Sequence, residues 1–244
     1  MELRGRWALV TGAAKRVGRV IALTLADRGT NVVVHYGTSA SEAAATVRAL
    51  ESRGVSALAL RADLANPSEV NALAAEAERR TGGVAVLVNS ASNYLRAPFD
   101  ELTEQVWDAS LDVNLKAPYL LSWHLGRRMR DRGEGAIVNI ADWAGERPYD
   151  DYLPYCVSKA GVICLTKALA KALAPVVRVN AVSPGPVLLP EDFTATQRAA
   201  VERATPLKRV GRPEDVANCI RFLVEEADFS TGGVFHVDGG RLIA

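Results

Sequence analysis

The chain has 244 residues, of which 49% are hydrophobic and 23% are charged, a composition that is typical of a soluble globular protein of one α/β domain. Its 29 basic and 28 acidic residues nearly cancel, which argues against nucleic acid or an anionic membrane surface as a partner, and no run approaches the roughly 18 apolar residues of a membrane span. Three cysteines without paired or metal-type spacing indicate free thiols, no metal site and a cytoplasmic location.

Short apolar runs alternate along the chain with longer amphipathic segments. The apolar runs predict strands over residues 7–10, 32–36, 56–60, 84–89, 136–141, 177–182 and 234–237. The amphipathic segments predict helices over residues 19–28, 41–53, 67–81, 101–130, 154–174 and 213–225. Apolar strands that alternate with helices form a parallel sheet covered on both faces. We therefore predict a single-domain Rossmann fold over residues 1–244, with a doubly wound, seven-stranded parallel sheet and helices on both faces.

A glycine-rich turn joins the first predicted strand to the first helix. Gly12 allows the chain to turn sharply, and Gly18 allows the start of the helix to approach the sheet and a pyrophosphate. Val17 lies within the same turn. The exposed amides of the helix N-terminus would face the phosphate charge. In this strand–turn–helix context, the turn predicts dinucleotide binding.

Two features favour NADP over NAD. Arg16 stands next to Lys15 where a glycine is usual, and would place a fork of donors beside the adenosine ribose. Enzymes that prefer NAD usually carry an acid at the end of the second strand. The residues found there, none of them acidic, are His35, Tyr36, Gly37, Thr38 and Ser39. A 2′-phosphate can accept hydrogen bonds from such groups, so the sequence predicts NADP, although Lys15 and Arg16 could also be exposed loop charges.

Two further stretches fit the same dinucleotide site. Asp63 and Leu64 follow the third predicted strand, where Asp63 either bonds an adenine amine or caps a helix. Asn89, Ser90 and Ala91 end the fourth strand with small residues. A backbone that lies against a cofactor requires small side chains, so both stretches are predicted cofactor contacts.

Tyr155 and Lys159 are four residues apart at the start of a predicted helix, so their side chains lie on one face. A nearby cation favours phenolate, and we expect the pKa of Tyr155 to fall from about 10 toward neutrality, where it can exchange protons. Lys159 can also bind the nicotinamide ribose. After the fifth strand of a dinucleotide-binding sheet, this pair predicts an oxidoreductase with Tyr155 as the proton donor.

Over its whole length the sequence resembles the short-chain dehydrogenase/reductase family. The matching motifs are the turn at 11–18, Asn89-Ser90-Ala91, Asn114, Tyr155 with Lys159, Pro184-Gly185 and residues 237–240. The resemblance implies that Asn114 supports a water-linked proton relay to Lys159. It also implies cofactor contacts at Pro184, Gly185 and Val187, and a homotetramer built on the long fourth and fifth helices.

Asp142 stands where most of the family carries a serine, and Trp143 follows it. An ionised aspartate cannot donate to a carbonyl oxygen and would repel the developing oxyanion. It suits a C=N substrate better, because ring N–H groups bond well to carboxylate. The chain thus resembles the pteridine reductase branch, which implies a pterin held between nicotinamide and Tyr94. The predicted substrate-binding residues are Tyr94, Asp142, Trp143 and Tyr155.

The predicted function is NADPH-dependent reduction of dihydropterin or dihydrofolate C=N bonds by hydride transfer. One alternative is a carbonyl reductase, such as a 3-oxoacyl-acyl-carrier-protein reductase, with Asp142 reflecting drift within the family. Another is a non-catalytic NADP-binding regulator, against which the intact Asn114, Tyr155 and Lys159 argue. The proline-bearing segment at 184–207 is either a substrate lid or a variable surface loop.

Overall fold

The computed structural model describes residues 1–189 and 193–244. Within these residues the strands are β1 (Trp7–Val10), β2 (Asn31–Tyr36), β3 (Ala57–Arg61), β4 (Val84–Asn89), β5 (Gly135–Ile140), β6 (Val177–Pro184) and β7 (Val234–Val237). They form one sheet in the order β3-β2-β1-β4-β5-β6-β7, and every pairing is parallel. The predicted seven-stranded parallel sheet is therefore confirmed.

The α-helices of the same residues are α1 (Arg16–Ala26), α2 (Ala40–Glu51), α3 (Pro67–Thr81), α4 (Glu104–Leu111), α5 (Ala117–Arg132), α6 (Leu153–Leu173), α7 (Ala195–Ala204) and α8 (Pro213–Glu225). One hydrophobic core packs α1, α2 and α8 on one face of the sheet, and a second packs α3, α5 and α6 on the other. None of the helices in the two described ranges is long and apolar enough to cross a membrane. The predicted cover of both faces is confirmed.

Residues alternate between the two cores along each central strand. On β1, Ala8 and Val10 belong to the first core and Leu9 belongs to the second, as the period of two in a strand requires. Because both faces are buried, both sets of positions favour apolar side chains, and a polar residue such as Asn139 is hydrogen-bonded there. This double burial explains why the strands are recognisable as continuous apolar runs.

The single helix predicted over residues 101–130 is interrupted in the structure. A π-helical turn, Asp112–Lys116, separates α4 from α5 and contains Asn114. One extra residue in a turn barely changes the hydrophobic period over such a length, so the sequence pattern did not indicate it. Turns of this kind occur frequently at functional sites.

Helix α7 lies within the segment at 184–207, for which we predicted no secondary structure. Its start is marked by a capping box, in which Thr194 accepts from the Gln197 amide and the Gln197 side chain accepts from the Thr194 amide. This Thr-x-x-Gln pattern is typical of a helix start, but the prolines on either side of it favour an irregular segment. Residues 190–192 of the segment lie outside the described residues.

Helix α1 approaches the glycine turn most closely at Gly18. A Cβ atom there would lie 2.4 Å from the Gly12 carbonyl oxygen. The neighbouring atom belongs to the backbone, so it cannot move aside without a shift of the turn or the helix. The close approach is what brings the helix N-terminus to the carboxyl end of β1.

We expect Gly18→Ala to lower the free energy of unfolding by about 1–3 kcal/mol, because the overpacking outweighs the helix propensity that alanine gains. Urea denaturation measures the change. Gly37→Ala is the matched control, since a Cβ there meets only the Ala62 carbonyl oxygen at 3.9 Å. An unchanged stability of Gly18→Ala, or an equal loss in both variants, would contradict this packing.

Candidate active site

Two cavities open at the carboxyl ends of the strands, where the strand order reverses between β1 and β4. Ligands bind at such a switch point in doubly wound sheets. The first cavity, of about 470 Å³, lies over β1, β2 and β3, and we call it the β2–β3 cavity. The second, of about 490 Å³, lies beside β5, β6 and the start of α6, and we call it the aromatic cavity.

The β2–β3 cavity brings together many of the residues predicted to contact the cofactor: Gly12, Lys15, His35, Tyr36, Thr38, Ser39, Asp63, Leu64 and Ala91. The Asp63 carboxylate accepts a hydrogen bond from the Ala65 amide at 2.9 Å, whereas the residue that caps α3 is Asn66, and the contact of Asp63 with adenine stays a prediction. Lysine, hydroxyl and backbone donors around one cavity suit a phosphorylated nucleoside. The cavity therefore has the chemistry that the adenosine end of a dinucleotide needs.

Arg61 also lines this cavity, although it is not among the cofactor contacts predicted from the sequence. It is the last residue of β3, opposite Tyr36 in the sheet register, and its Nε donates to the Gly37 carbonyl at 3.3 Å. A basic residue at a strand end, two positions before Asp63, was the available signal. Arg61 places a guanidinium beside Thr38 and Ser39, where Arg16 was expected.

Arg16 lies on the other side of the turn. Its side chain lines the aromatic cavity, and Nη2 donates to the Leu188 carbonyl at 3.4 Å. The backbone at Arg16 is left-handed, with φ of 54°, whereas Lys15 is extended with φ of −150°. Adjacent residues with such different backbones send their side chains in different directions, so Arg16 does not line the β2–β3 cavity with Lys15, and its contact with the cofactor stays a prediction.

His35 and Thr11 hold the glycine turn in place. His35 Nδ1 accepts from the Gly12 amide, and Nε2 lies 3.1 Å from the Ala62 carbonyl, an arrangement that requires the Nε2–H tautomer. Burial lowers the pKa of His35, which favours this neutral ring. Thr11 Oγ1 accepts from the amides of Ser90 and Ala91 at 2.9 Å each. His35 thus shapes the site through the backbone.

The other predicted cofactor residues take supporting positions. The Asn89 side chain is buried in the sheet, where it donates to Asn139 at 2.8 Å. Gly185 lies so close to Asp238 that a Cβ would meet its Cα at 2.7 Å. Val187 lines a neighbouring cavity with Pro186, and Pro184 is the buried last residue of β6.

Tyr155, Asp142 and Lys159 form a titratable cluster between β5 and α6. Helix α6 begins with a proline in its first turn, a position that favours proline, and it presents Tyr155 and Lys159 to the end of β5. The Tyr155 hydroxyl donates to Asp142 Oδ2 at 2.8 Å. Lys159 Nζ donates to the Ile140 carbonyl at 2.9 Å and lies 5.6 Å from the centroid of the Tyr155 ring.

The protonation states of this cluster are set mainly by burial. Burial raises the pKa of Asp142, and burial together with the Asp142 charge raises the pKa of Tyr155 well above 10. Burial lowers the pKa of Lys159 to about 8, while Asp142 opposes that change. The predicted fall of the Tyr155 pKa toward neutrality is therefore wrong. A carboxylate next to the phenol outweighs the more distant ammonium, so Tyr155 keeps its proton.

Asn114 connects the π-helical turn to both neighbouring elements. Oδ1 accepts from the Ser92 hydroxyl and the Asn93 amide, each at 2.9 Å. Nδ2 donates to the Asn93 carbonyl and to the Ser158 hydroxyl, each at 3.2 Å. The side chain thus positions the loop after β4 against α6, and the relay to Lys159 stays a prediction.

The aromatic cavity contains all four predicted substrate residues. Tyr94 stacks on Tyr152 at 4.1 Å between centroids and meets the Tyr155 ring edge-on at 4.8 Å. The aromatic residues of its walls are Tyr94, Trp143, Tyr149, Tyr152, Tyr155 and Phe193. Tyr149 and Tyr152 were missed, although three tyrosines between Asp142 and Lys159 were a visible signal. Leu188, Phe193 and Val201 show that the described part of the segment at 184–207 forms a wall of this cavity.

Comparisons with known proteins cover nearly the whole chain. The family described as Enoyl-(Acyl carrier protein) reductase matches residues 12–241. The 3-oxoacyl-(acyl-carrier-protein) reductase FabG of Staphylococcus epidermidis is 36% identical over 237 residues, which cover 96% of this chain and 97% of that protein. A short-chain type dehydrogenase/reductase of Picea abies is 34% identical over 255 residues, which cover 98% of this chain and 93% of that protein.

A solved structure agrees with these sequence similarities. The blue fluorescent protein from a metagenomic library, in complex with NADPH, superposes with a TM-score of 0.92 at 30% identity and covers 99% of each chain. The parallel sheet, the glycine turn and the Tyr155–Lys159 pair define a nicotinamide-dependent oxidoreductase. The chain belongs to the short-chain dehydrogenase/reductase family, and the predicted family is confirmed.

The buried ammonium group of Lys159 lowers the free energy of unfolding of the protein. Its pKa is lowered from 10.5 to about 8 in the folded protein, so the unfolded chain binds more protons between these two values. The contribution of Lys159 to stability therefore becomes less unfavourable as the pH rises from about 8 to about 10.5, and the full penalty applies below pH 8. The penalty is about 3 kcal/mol, offset by about 1 kcal/mol from the hydrogen bond to Ile140.

We expect Lys159→Met to raise the free energy of unfolding at pH 7 by about 1–3 kcal/mol, because the variant removes a buried charge. Urea denaturation at pH 7 and pH 9.5 measures the gain, which should shrink at the higher pH. Lys167→Met, an exposed lysine on the same helix, serves as the control. A Lys159→Met protein that is less stable than the wild type at pH 7 would refute the penalty.

Proposed function

We propose that the protein is an NADPH-dependent carbonyl reductase, with 3-oxoacyl thioesters as the first substrate class to test. The observation that carries the proposal is the Tyr155 hydroxyl, which lines the aromatic cavity and holds its proton against Asp142. Similarity to a 3-oxoacyl-(acyl-carrier-protein) reductase over 97% of that protein supports the carbonyl class. It favours this alternative over pteridine reduction.

The residues present fit NADPH. Bound in the cleft, this cofactor would supply the hydride. The turn between Gly12 and Gly18 and the N-terminus of α1 offer backbone amides to its pyrophosphate. Lys15, Thr38, Ser39 and Arg61 line one cavity and offer donors to a 2′-phosphate. Lys159, buried beneath Tyr155, would hold ribose hydroxyls.

Tyr155 supplies the proton in this proposal. In the reductive direction the substrate oxygen gains negative charge, and the Tyr155 hydroxyl transfers its proton to it. The resulting phenolate is disfavoured by Asp142 and favoured by Lys159, and its quick return to the protonated form prepares the next turnover. The raised pKa of Tyr155 keeps the donor loaded over a wide pH range.

Asp142 is compatible with a carbonyl substrate because its carboxylate is already hydrogen-bonded within the protein. It accepts from the Tyr155 hydroxyl and from the Ala144 amide, each at 2.8 Å. These donors offset part of its charge, and a substrate oxygen at Tyr155 would meet the hydroxyl donor rather than a carboxylate without partners.

Pteridine reduction is the second candidate, and the composition of the aromatic cavity favours it. A flat ring fits between aromatic walls, and Asp142 offers a carboxylate to ring N–H groups. Tyr94 already stacks on Tyr152, so only its other face would be left for a ring. The same hydroxyl of Tyr155 would then protonate a nitrogen.

The homotetramer implied by the family stays a prediction. Tyr119 and Trp123 on α5 and Leu153 and Val157 on α6 are each 40–44% exposed. Apolar side chains of this size on two neighbouring helices are what an assembly through these helices would bury.

We expect NADPH to be preferred over NADH, and Arg61→Gln to raise the KM for NADPH about 10-fold while the KM for NADH changes less than about twofold. The reason is the loss of one charge-assisted hydrogen bond to the 2′-phosphate. Steady-state kinetics with both cofactors measures it, and Arg80→Gln on the exposed side of α3 is the control. Equal use of both cofactors by the wild type would show that the 2′-phosphate argument fails.

The substrate class is tested by NADPH oxidation with acetoacetyl thioester, dihydrobiopterin and dihydrofolate. We expect turnover of the thioester, and a loss of about 10²–10⁴-fold in Tyr155→Phe with NADPH binding preserved. Asp142→Ser supplies a hydroxyl donor in place of the carboxylate, so thioester activity should be retained. If pterins are reduced instead, that variant should lose about one to two decades of kcat/KM on them. A wild type that reduces pterins and ignores the thioester would replace the first candidate with the second.

A further inference from the structure

Arg241 is built into the wall of the aromatic cavity by two contacts. It begins the short helical turn Arg241–Ile243 near the C-terminus. Its guanidinium carbon lies 5.4 Å above the centroid of the Trp143 ring. Nη1 donates to the Ala204 carbonyl, at the last residue of α7, at 2.6 Å. The side chain is therefore held in the wall of the aromatic cavity by both the loop after β5 and the end of α7.

The described lining of the aromatic cavity is richer in cations than in carboxylates. Arg16 and Arg241 both line it, and Asp142 is the acidic residue among the described ones. Asp142 already accepts hydrogen bonds from Tyr155 and from the Ala144 amide. Within the described residues, the Arg241 guanidinium makes one hydrogen bond, to Ala204, which leaves most of its five N–H donors for a ligand.

We propose that Arg241 binds an anionic group, a carboxylate or a phosphate, on the substrate. A guanidinium fork matches the geometry of both oxyanions. Its place over the Trp143 ring removes part of its hydration, which strengthens its attraction for an anion. The proposal rests on the proposed function in taking the aromatic cavity as the substrate site. It makes Arg241 a residue that determines specificity, separate from the proton-transfer cluster.

A purely structural role for Arg241 predicts a different result from a binding role. The contact with Ala204 could merely fasten the C-terminal turn to α7. Arg147 provides the matched control, because its Nη1 donates to the Arg241 carbonyl at 3.4 Å and also to the Ala244 carbonyl. It fastens the same turn, yet it is not part of the described lining of the cavity.

The direct test measures ligand binding to the NADP⁺-loaded protein by calorimetry and does not require turnover. Benzoate and benzamide are matched rings for the aromatic cavity that differ in charge. We expect benzoate to bind about 10- to 100-fold more tightly, and Arg241→Met to remove that difference. Arg241→Lys should retain part of it, and Arg147→Met should retain all of it. Phenyl phosphate in place of benzoate distinguishes phosphate from carboxylate as the preferred anion.

Three outcomes would overturn the proposal. Benzoate and benzamide could bind the wild type equally. The preference for benzoate could survive in Arg241→Met, and Lys159 or Arg16 would then provide the charge. A loss of the preference in Arg147→Met as well as in Arg241→Met would assign Arg241 a structural role. Matched substrate pairs then extend the test to catalysis: acetoacetyl-CoA against a neutral acetoacetyl thioester, and dihydrofolate against dihydrobiopterin. Failure of either pair to react bears on the proposed function and leaves the binding result intact.

Discussion

A phenol and a carboxyl group share a hydrogen bond of 2.8 Å, between Tyr155 and Asp142, at the wall of the aromatic cavity. Burial raises the pKa of both groups, because it disfavours their charged forms. Tyr155 therefore keeps its proton until a substrate oxygen that gains negative charge can accept it. Burial also lowers the pKa of Lys159 to about 8, so its charged form is less stable than that of an exposed lysine. In the proposed function this ammonium holds the ribose hydroxyls of the cofactor.

The fold supports this cluster at several points. His35 and Thr11 fix the glycine turn through backbone amides, and Asn114 connects the loop after β4 to α6. Arg16 adopts a left-handed backbone with φ of 54°, which costs a residue other than glycine about 1–2 kcal/mol. A strained arginine and a buried lysine are both unfavourable for stability, and both lie at the cleft. Such exceptions to local preference are expected where function selects them.

Much of the fold and part of the site could be predicted from the sequence. Doubly buried strands are apolar at most positions, so the sheet was recognisable, and Tyr155 with Lys159 followed from helical spacing. The π-helical turn at Asn114 could not be recognised, because one inserted residue hardly alters the hydrophobic period of the helix. The direction of the Arg16 side chain and the pKa of Tyr155 depend on backbone conformation and on burial beside Asp142. Neither the backbone conformation nor the burial follows from the order of the residues alone.

Burial and the charge of Asp142 raise the pKa of Tyr155 and so keep the proton donor loaded. Reduction requires protonated Tyr155, and its rate must fall as the pH rises through that pKa. The contribution of Asp142 is measured by the pH dependence of kcat/KM for the wild type and for Asp142→Asn, which keeps the shape of the side chain and removes its charge. We expect the alkaline limb to move to lower pH in Asp142→Asn. An alkaline limb that stays in place or moves to higher pH would contradict this role of Asp142.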